Sequence, residues 1–189
     1  MTKAQLFSRL EAAPVIAALK EEAQLKRCLQ SRAAAVFILH GDILHIDQLV
    51  ERIKQAGKAV FVHIDLIDGL ASREVAVDFI RGHTCADGII STKAPLTRYA
   101  KNKGLFSVQR FFLLDSMALV NINRQMEADG ADMVEVLPGL MPKIIGKIAA
   151  SAKKPIIAGG LIADKEDIMT ALGAGAMAVS TTSPALWDL

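Results

Sequence analysis

Short apolar segments alternate with charged, amphipathic segments along the whole chain. The segments between the apolar ones have helical spacing, and in IDQLVERIKQAGK the residues Leu49, Ile53 and Ala56 are predicted to share one buried helix face. Most amphipathic segments end in a glycine that suits a left-handed helix cap: Gly57, Gly104, Gly130 and Gly175. The apolar segments, each of a length suited to one strand, are eight in number: PVIAAL, AAVFILHG, AVFVHIDL, GIIST, LFSVQRFFL, MVEVLPG, PIIAGG and MAVSTT.

Near-continuous apolar strands, each followed by an amphipathic helix, predict a parallel sheet covered by helices. Eight such units in 189 residues indicate an α/β fold of the compact TIM-type (β/α)8 barrel class, with short loops and a single domain over residues 1–189. The alternative is an open doubly wound sheet. The sequence favours the barrel, because no GxGxxG turn follows the first apolar segment and no break in strand order is evident.

Composition places the chain among ordinary globular proteins, with 52% hydrophobic and 22% charged residues. The net charge of +2 is spread along the chain, so it neither requires nor excludes an anionic polymer as partner. No apolar run approaches the roughly 20 residues of a membrane helix, and the N-terminal stretch does not read as a secretory signal. Cys28 and Cys85 form neither a disulfide framework nor a metal motif, so we expect a cytoplasmic protein without a metal or a membrane partner.

Polar residues collect at the carboxyl ends of the predicted strands, which form the functional face of such a barrel. Side chains two apart in a strand point the same way, which predicts that His63 lies with Asp65 and Ser91 lies with Lys93. The same rule pairs His40 with Asp42. The strand-end residues are Lys20, His40, Gly41, Asp42, His63, Asp65, Ser91, Thr92, Lys93, Gln109, Arg110, Glu135, Gly159, Gly160, Ser180, Thr181 and Thr182.

The last two predicted strands end in motifs that suit a phosphate group. Gly159 and Gly160 allow main-chain donors to approach an anion, and Ser180 and Thr181 add hydroxyl donors. The alternative is that the glycines only form a tight turn and the hydroxyls only cap a helix. The two motifs together, at strands seven and eight of a barrel, favour phosphate.

Glu135 stands inside an apolar strand, where a carboxylate needs a partner. Lys93 and Arg110 are the candidate counter-charges. His63, Asp65, Glu135 and Lys93 could act as general acids and bases, and Lys93 could form a Schiff base. A ring of ligand-binding groups without catalysis fits the same residue types, and spacing alone does not decide between the two.

Several ordered motifs resemble one family, the glycerol-3-phosphate responsive antiterminators, which are regulatory proteins of bacterial glycerol uptake operons. The resemblance extends from Pro14 to Trp187. It rests on GDI at 41–43, GKAVFVHIDLIDGL at 57–70, DGIISTK at 87–93, FSVQRFFLLDS at 106–116, MVEVLPGLMPKII at 133–145, KPIIAGGLI at 154–162 and GAMAVSTT at 175–182.

This resemblance implies a regulator without catalytic residues or cofactor, whose effector is glycerol 3-phosphate and whose partner is the leader of glycerol operon mRNA. It places Gly159, Gly160, Ser180 and Thr181 around the phosphate. The predicted glycerol and charge network consists of His63, Asp65, Lys93, Arg110 and Glu135, with Asp65 and Glu135 accepting hydrogen bonds from the two hydroxyls. Because the C-terminal tail ending in WDL is short and leaves the last helix truncated, a homo-oligomer in which a partner subunit completes the barrel is also expected.

The sequence contains no recognisable RNA-binding module, so the candidates for RNA contact are basic residues on helix faces. For each pair of basic residues, the alternative is an ordinary solvent-exposed charged helix face without a partner. The candidates are Arg98 with Lys101, Lys143 with Lys147, and Lys153 with Lys154.

The competing function is a phosphate-handling barrel enzyme, an isomerase, lyase or aldolase, with Lys93 or Glu135 as the acid–base group. A third possibility is a metabolite-binding protein without a polymer partner.

Overall fold

Eight parallel strands form a closed ring in the computed structural model, which describes residues 1–127 and 130–189. Each strand pairs with its neighbour in sequence, and β8 pairs with β1. The strands are β1 (Val15–Leu19), β2 (Ala35–Ile38), β3 (Ala59–His63), β4 (Gly88–Ser91), β5 (Phe106–Phe112), β6 (Met133–Leu137), β7 (Ile156–Gly159) and β8 (Ala178–Thr181). The predicted (β/α)8 barrel is confirmed, and the open doubly wound sheet is wrong.

Seven of the helices follow strands β1 to β7, whereas the first helix precedes the barrel. None of the helices in the described ranges combines the length and apolar character needed to span a bilayer. The helices are α1 (Lys3–Ala12), α2 (Leu25–Gln30), α3 (Ile46–Gln55), α4 (Glu74–His83), α5 (Ala94–Asn102), α6 (Ser116–Glu127), α7 (Pro142–Ser151) and α8 (Lys165–Gly173).

The predicted helix faces and caps are confirmed except at two positions. Helix α3 buries Leu49 and Ile53, but Ala56 is exposed because the helix ends one residue before it. Left-handed caps are present at Gly57, Gly104 and Gly175. The cap predicted at Gly130 directly follows residues 128 and 129, which lie outside the described ranges, and it stays a prediction.

Helix α1 closes the end of the barrel opposite the polar strand ends. Its Leu6 and Leu10 are fully buried in the cluster that fills the barrel interior. Each such side chain contributes roughly 1.5–3 kcal/mol by burial. In the same cluster Phe37 and Phe61 meet edge to face, with ring centroids 5.6 Å apart. The barrel interior next to α1 is therefore filled with apolar side chains, and the polar side chains lie at the carboxyl ends of the strands.

A 3-10 turn at Pro184–Leu186 follows β8 and leads to Trp187, which is completely buried. The Trp187 indole Nε1 donates a hydrogen bond to the Thr181 carbonyl oxygen at 2.9 Å. Since β1 and β8 pair within one chain, the barrel closes without a partner subunit, contrary to the expectation that one would complete it. The homo-oligomer itself stays a prediction.

Candidate ligand-binding pocket at the barrel mouth

A pocket of about 630 Å³ opens at the carboxyl ends of β5 to β8 and β1. It lies at the end of the barrel where ligands bind in folds of this kind. Its polar lining comes from Lys20, Arg110, Glu135, Gly160, Ser180, Thr181, Thr182 and Ser183. Six of the predicted site residues therefore belong to or adjoin one pocket, since Gly159 directly precedes Gly160.

The Glu135 carboxylate lies at the base of this pocket, and its side chain is 0% exposed. Arg110 Nε donates to Oε2 at 2.6 Å, and Ser180 Oγ donates to Oε1 at 2.6 Å. Strands β5 and β6 place Arg110 directly beside Glu135. Arg110 is therefore the counter-charge, as predicted. Lys93 is exposed at the start of α5 and forms no ion pair with Glu135, so its prediction as a counter-charge is wrong.

Gly159 is required by the Glu135 carboxylate. A Cβ atom at this position would lie 2.6 Å from Glu135 Oε1 and would also collide with Ser180 Oγ. Strand pairing sets Gly159 opposite Ser180, whose Oγ is hydrogen-bonded to Glu135, so a Cβ atom would meet both groups. The first glycine of the pair thus allows a buried carboxylate and a hydroxyl to meet inside the barrel.

The second glycine begins a turn with unusual backbone geometry. Gly160 has φ +75°, and Leu161 follows with φ +63° while its side chain is 72% exposed. A left-handed conformation costs a leucine about 1–2 kcal/mol. Across residues 1–127 and 130–189, no acceptor is assigned to the main-chain N–H groups of Gly160, Leu161 and Thr182, all of which line the pocket. Such unpaired donors suit an anion.

The N-terminus of α8 is already occupied by carboxylates from its own chain. Asp164 accepts a hydrogen bond from Asp167 N at 2.9 Å, while Asp167 accepts one from Ala163 N at 2.8 Å. A phosphate at this helix end would meet two negative charges. The N-terminus of α8 is therefore a poor anion site, despite the positive end of its helix dipole.

The two hydroxyls predicted to hold phosphate are both engaged within the protein. Thr181 Oγ1 donates to the Ile162 carbonyl oxygen at 3.0 Å and accepts from Ser183 N at 3.1 Å. Ser180 Oγ donates to Glu135. Thr181 thus fixes the turn after β7 to the end of β8, while Ser180 orients the carboxylate. Neither hydroxyl is therefore a free donor for an anion.

A second polar cluster lies at the ends of β3 and β4, outside the pocket lining. Asp65 accepts from Ser91 Oγ at 3.0 Å and from Thr92 N at 2.7 Å. His63 Nδ1 lies 3.9 Å from Asp65 Oδ2, so their predicted proximity is confirmed. Ser91 is buried whereas Lys93 is exposed, so the prediction that they point together is wrong.

His63 is 2% exposed, and its Nδ1 has no hydrogen-bond partner among the residues that the structure describes. Burial lowers the pKa of His63 to about 4, and the nearby Arg110 guanidinium acts in the same direction, against a smaller opposing effect of Asp65. The imidazole is therefore neutral at pH 7. It contributes a hydrogen-bonding group to the barrel but no positive charge.

His40 and Asp42 contribute to a separate recess of about 330 Å³ beside α3. The Asp42 carboxylate there accepts from the main-chain N–H of Leu44 at 2.8 Å and lies 2.9 Å from His45 Nδ1. In the described ranges, no group of three or more His, Cys, Asp or Glu residues could hold a metal ion.

The basic residues predicted to contact RNA lie on two helices and one loop. Lys143 and Lys147 are both exposed on α7, one turn apart, as their spacing predicts. Arg98 on α5 and Lys154 before β7 line the same recess. The sequence did not predict that these two residues lie together, because they are far apart along the chain. Lys101 lies on α5, and Lys153 is exposed beside Lys154.

Comparisons with known proteins agree on one family. A family model of the glycerol-3-phosphate responsive antiterminators matches residues 15–187. The chain is 41% identical over 184 residues to the uncharacterized protein YgcP of Escherichia coli strain K12, covering 97% of this chain and 96% of that protein. It is similar in structure to the glycerol uptake operon antiterminator regulatory protein of Listeria monocytogenes, with 31% identity, a TM-score of 0.85 and coverage of 92% and 94%. A glycerol uptake operon antiterminator-related protein of Thermotoga maritima has 36% identity, a TM-score of 0.81 and coverage of 93% and 98%.

Proposed function

The chain belongs to the family of glycerol-3-phosphate responsive antiterminators, and on that premise we propose that it senses glycerol 3-phosphate and binds the mRNA leader of glycerol uptake operons. Ligand-dependent RNA binding would let transcription pass a terminator. In this proposal the protein acts in the cytoplasm as a regulator and not as an enzyme. Glycerol 3-phosphate is its effector, and it uses no cofactor.

The observation that carries the proposal is the pairing of two recognition elements in one pocket. On one side lie the unpaired N–H groups of Gly160, Leu161 and Thr182, which suit a phosphate. On the other side lies Glu135, whose two oxygens each accept one hydrogen bond from the protein. A carboxylate has about four acceptor sites, so Glu135 keeps acceptor capacity for the two glycerol hydroxyls. Because its side chain is 0% exposed, this proposal requires the neighbouring side chains to shift when the ligand binds.

The remaining predicted site residues support this arrangement in different ways. Gly159 gives Glu135 room, and Ser180 and Arg110 fix its orientation. Thr181 fixes the Gly160–Leu161 turn through its hydrogen bond to the Ile162 carbonyl oxygen. His63, Asp65 and Lys93 do not line the pocket, so the hydrogen bond from a glycerol hydroxyl that the sequence analysis predicted for Asp65 is assigned here to Glu135. The three residues are assigned to the supporting rim at the ends of β3 and β4.

A short path connects the pocket to the RNA candidates on α7. Gly139 N, in the loop before α7, donates to the Gly160 carbonyl oxygen at 3.0 Å. The two loops approach so closely that a Cβ atom on Gly139 would lie 3.1 Å from Gly159 N. A phosphate that orders the Gly160 turn would therefore also order the loop that leads to Lys143. The size of this coupling is limited by the preference of the ligand for the RNA-binding state.

The proposal is tested by measuring the affinity for a labelled glycerol operon leader RNA with and without glycerol 3-phosphate. We expect the ligand to increase RNA affinity in the wild type and to have no effect in Gly160→Val, because valine cannot adopt φ +75° without strain. Equal RNA affinity with and without ligand in the wild type would contradict the proposal. Turnover of glycerol 3-phosphate that is lost in Lys93→Ala would favour the barrel-enzyme alternative.

A further inference from the structure

We propose that Lys20 recognises the charge of the ligand and so makes the pocket selective for a phosphate monoester over an uncharged polyol. The proposal rests on the proposed function and concerns the same pocket. Lys20 directly follows β1, which pairs with β8 through Ala17 and Thr181. The pairing brings Lys20 to the pocket wall formed by Gly160 and Thr182, where the unpaired main-chain donors lie.

The charge balance of the pocket singles out this lysine. Of the residues in the described chain that line the pocket, Lys20, Arg110 and Glu135 are the ones that carry a charge. Arg110 is neutralised by Glu135 at 2.6 Å. Lys20 therefore supplies the net positive charge of the pocket lining.

Three carboxylates near the pocket, those of Glu22, Asp164 and Asp167, already have partners. Glu22 forms an ion pair with Arg52 at 2.8 Å. Asp164 and Asp167 accept hydrogen bonds from the first turn of α8. Within residues 1–127 and 130–189, no ion pair involves Lys20. Its ammonium group can thus approach an anion in the pocket without first leaving a carboxylate.

A phosphate monoester carries about −1.5 to −2 charges at pH 7 because its second pKa is near 6. The N–H groups of the Gly160 turn supply direction but no net charge, so they cannot balance this anion alone. A hydrogen bond between charged groups adds enough that losing it weakens binding by roughly 10- to 100-fold. The ammonium of Lys20 is the group in the pocket lining that can supply this contribution.

The test is calorimetric titration of glycerol 3-phosphate into wild type, Lys20→Met and Lys20→Arg. Lys165→Met is the matched control, because Lys165 is an exposed lysine at the start of α8 that does not line the pocket. We expect Lys20→Met to raise the Kd by about 10- to 100-fold, and Lys20→Arg and Lys165→Met to stay within a few-fold of wild type. In the wild type, affinity should rise between pH 5 and pH 7 as the phosphate loses its second proton, and Lys20→Met should flatten this rise.

The outcomes separate this inference from the proposed function. If the wild type does not bind glycerol 3-phosphate, the proposed function fails and the inference fails with it. If the wild type binds and Lys20→Met binds equally well with an unchanged pH profile, only the role of Lys20 is overturned. An equal loss of affinity in Lys20→Met and Lys165→Met would also overturn it, because the effect would then come from general surface charge.

Discussion

Replacing Arg110 by methionine should destabilise the protein strongly, because it leaves the Glu135 carboxylate buried without its counter-charge. Arg110 and Glu135 side chains are 8% and 0% exposed, and their Nε–Oε2 distance is 2.6 Å. Removing one partner of such a buried pair costs about 3–5 kcal/mol. For a chain of this length the loss corresponds to a fall in melting temperature of roughly 6–20 °C. The loss of about 3–5 kcal/mol is a large share of the usual 5–15 kcal/mol of folding free energy.

The assay is urea denaturation followed by circular dichroism, with thermal unfolding alongside. The control is the double variant Arg110→Met/Glu135→Gln, which removes the charge but keeps an acceptor for the Ser180 hydroxyl. We expect the double variant to recover most of the stability lost in Arg110→Met. A loss below about 1 kcal/mol in Arg110→Met, or a double variant as unstable as the single one, would refute the reasoning that an uncompensated carboxylate is the cause.

Three further perturbations test other parts of the account. Because the folded pKa of His63 is about 4 against 6.5 in the unfolded chain, the stabilisation present above pH 6.5 is lost as the pH falls toward 4. Urea denaturation should show that the free energy of unfolding falls by about 2 kcal/mol between pH 7 and pH 5, and that this fall is smaller in His63→Leu. An identical fall in the variant would contradict the prediction. Lys147→Glu should weaken leader RNA binding and lower its salt dependence, whereas Lys26→Glu on α2 should not, as anisotropy titrations at several salt concentrations would show. Gly160→Val should abolish glycerol 3-phosphate binding in calorimetry while the circular dichroism spectrum is kept, and unchanged affinity would contradict the role of the turn.

The barrel could be predicted because the strands are largely apolar runs and because β1 to β7 are each followed by a helix. Helix α1 escaped prediction because it buries only two large side chains, Leu6 and Leu10, too few to stand out in a short segment. Its start signal, the Thr2 capping box with Gln5, lies at the first residues of the chain. The position of α1 over the barrel end depends on tertiary packing that no local pattern records.

The candidate site was predictable where strand neighbours decide contacts. Glu135 inside an apolar strand signalled a buried partner, and strand pairing selects Arg110 over Lys93. Alternation along β8 distinguishes Ser180, which faces the barrel interior, from Thr181, which faces the loop and the C-terminal turn. The charge role proposed for Lys20 could not be foreseen, because the proposal depends on which other charged residues line the same pocket.

Calorimetric titration with glycerol 3-phosphate, with glycerol and inorganic phosphate as controls, tests the central claim most directly. The account predicts tight binding of glycerol 3-phosphate, because of the three compounds only this one carries both a phosphate for the proposed Gly160 turn and two hydroxyls for Glu135. Glycerol and phosphate, which each satisfy one side of the pocket, should bind at least about tenfold more weakly. Equal affinity for the three compounds, or no binding of glycerol 3-phosphate, would contradict the claim that this pocket is the sensor.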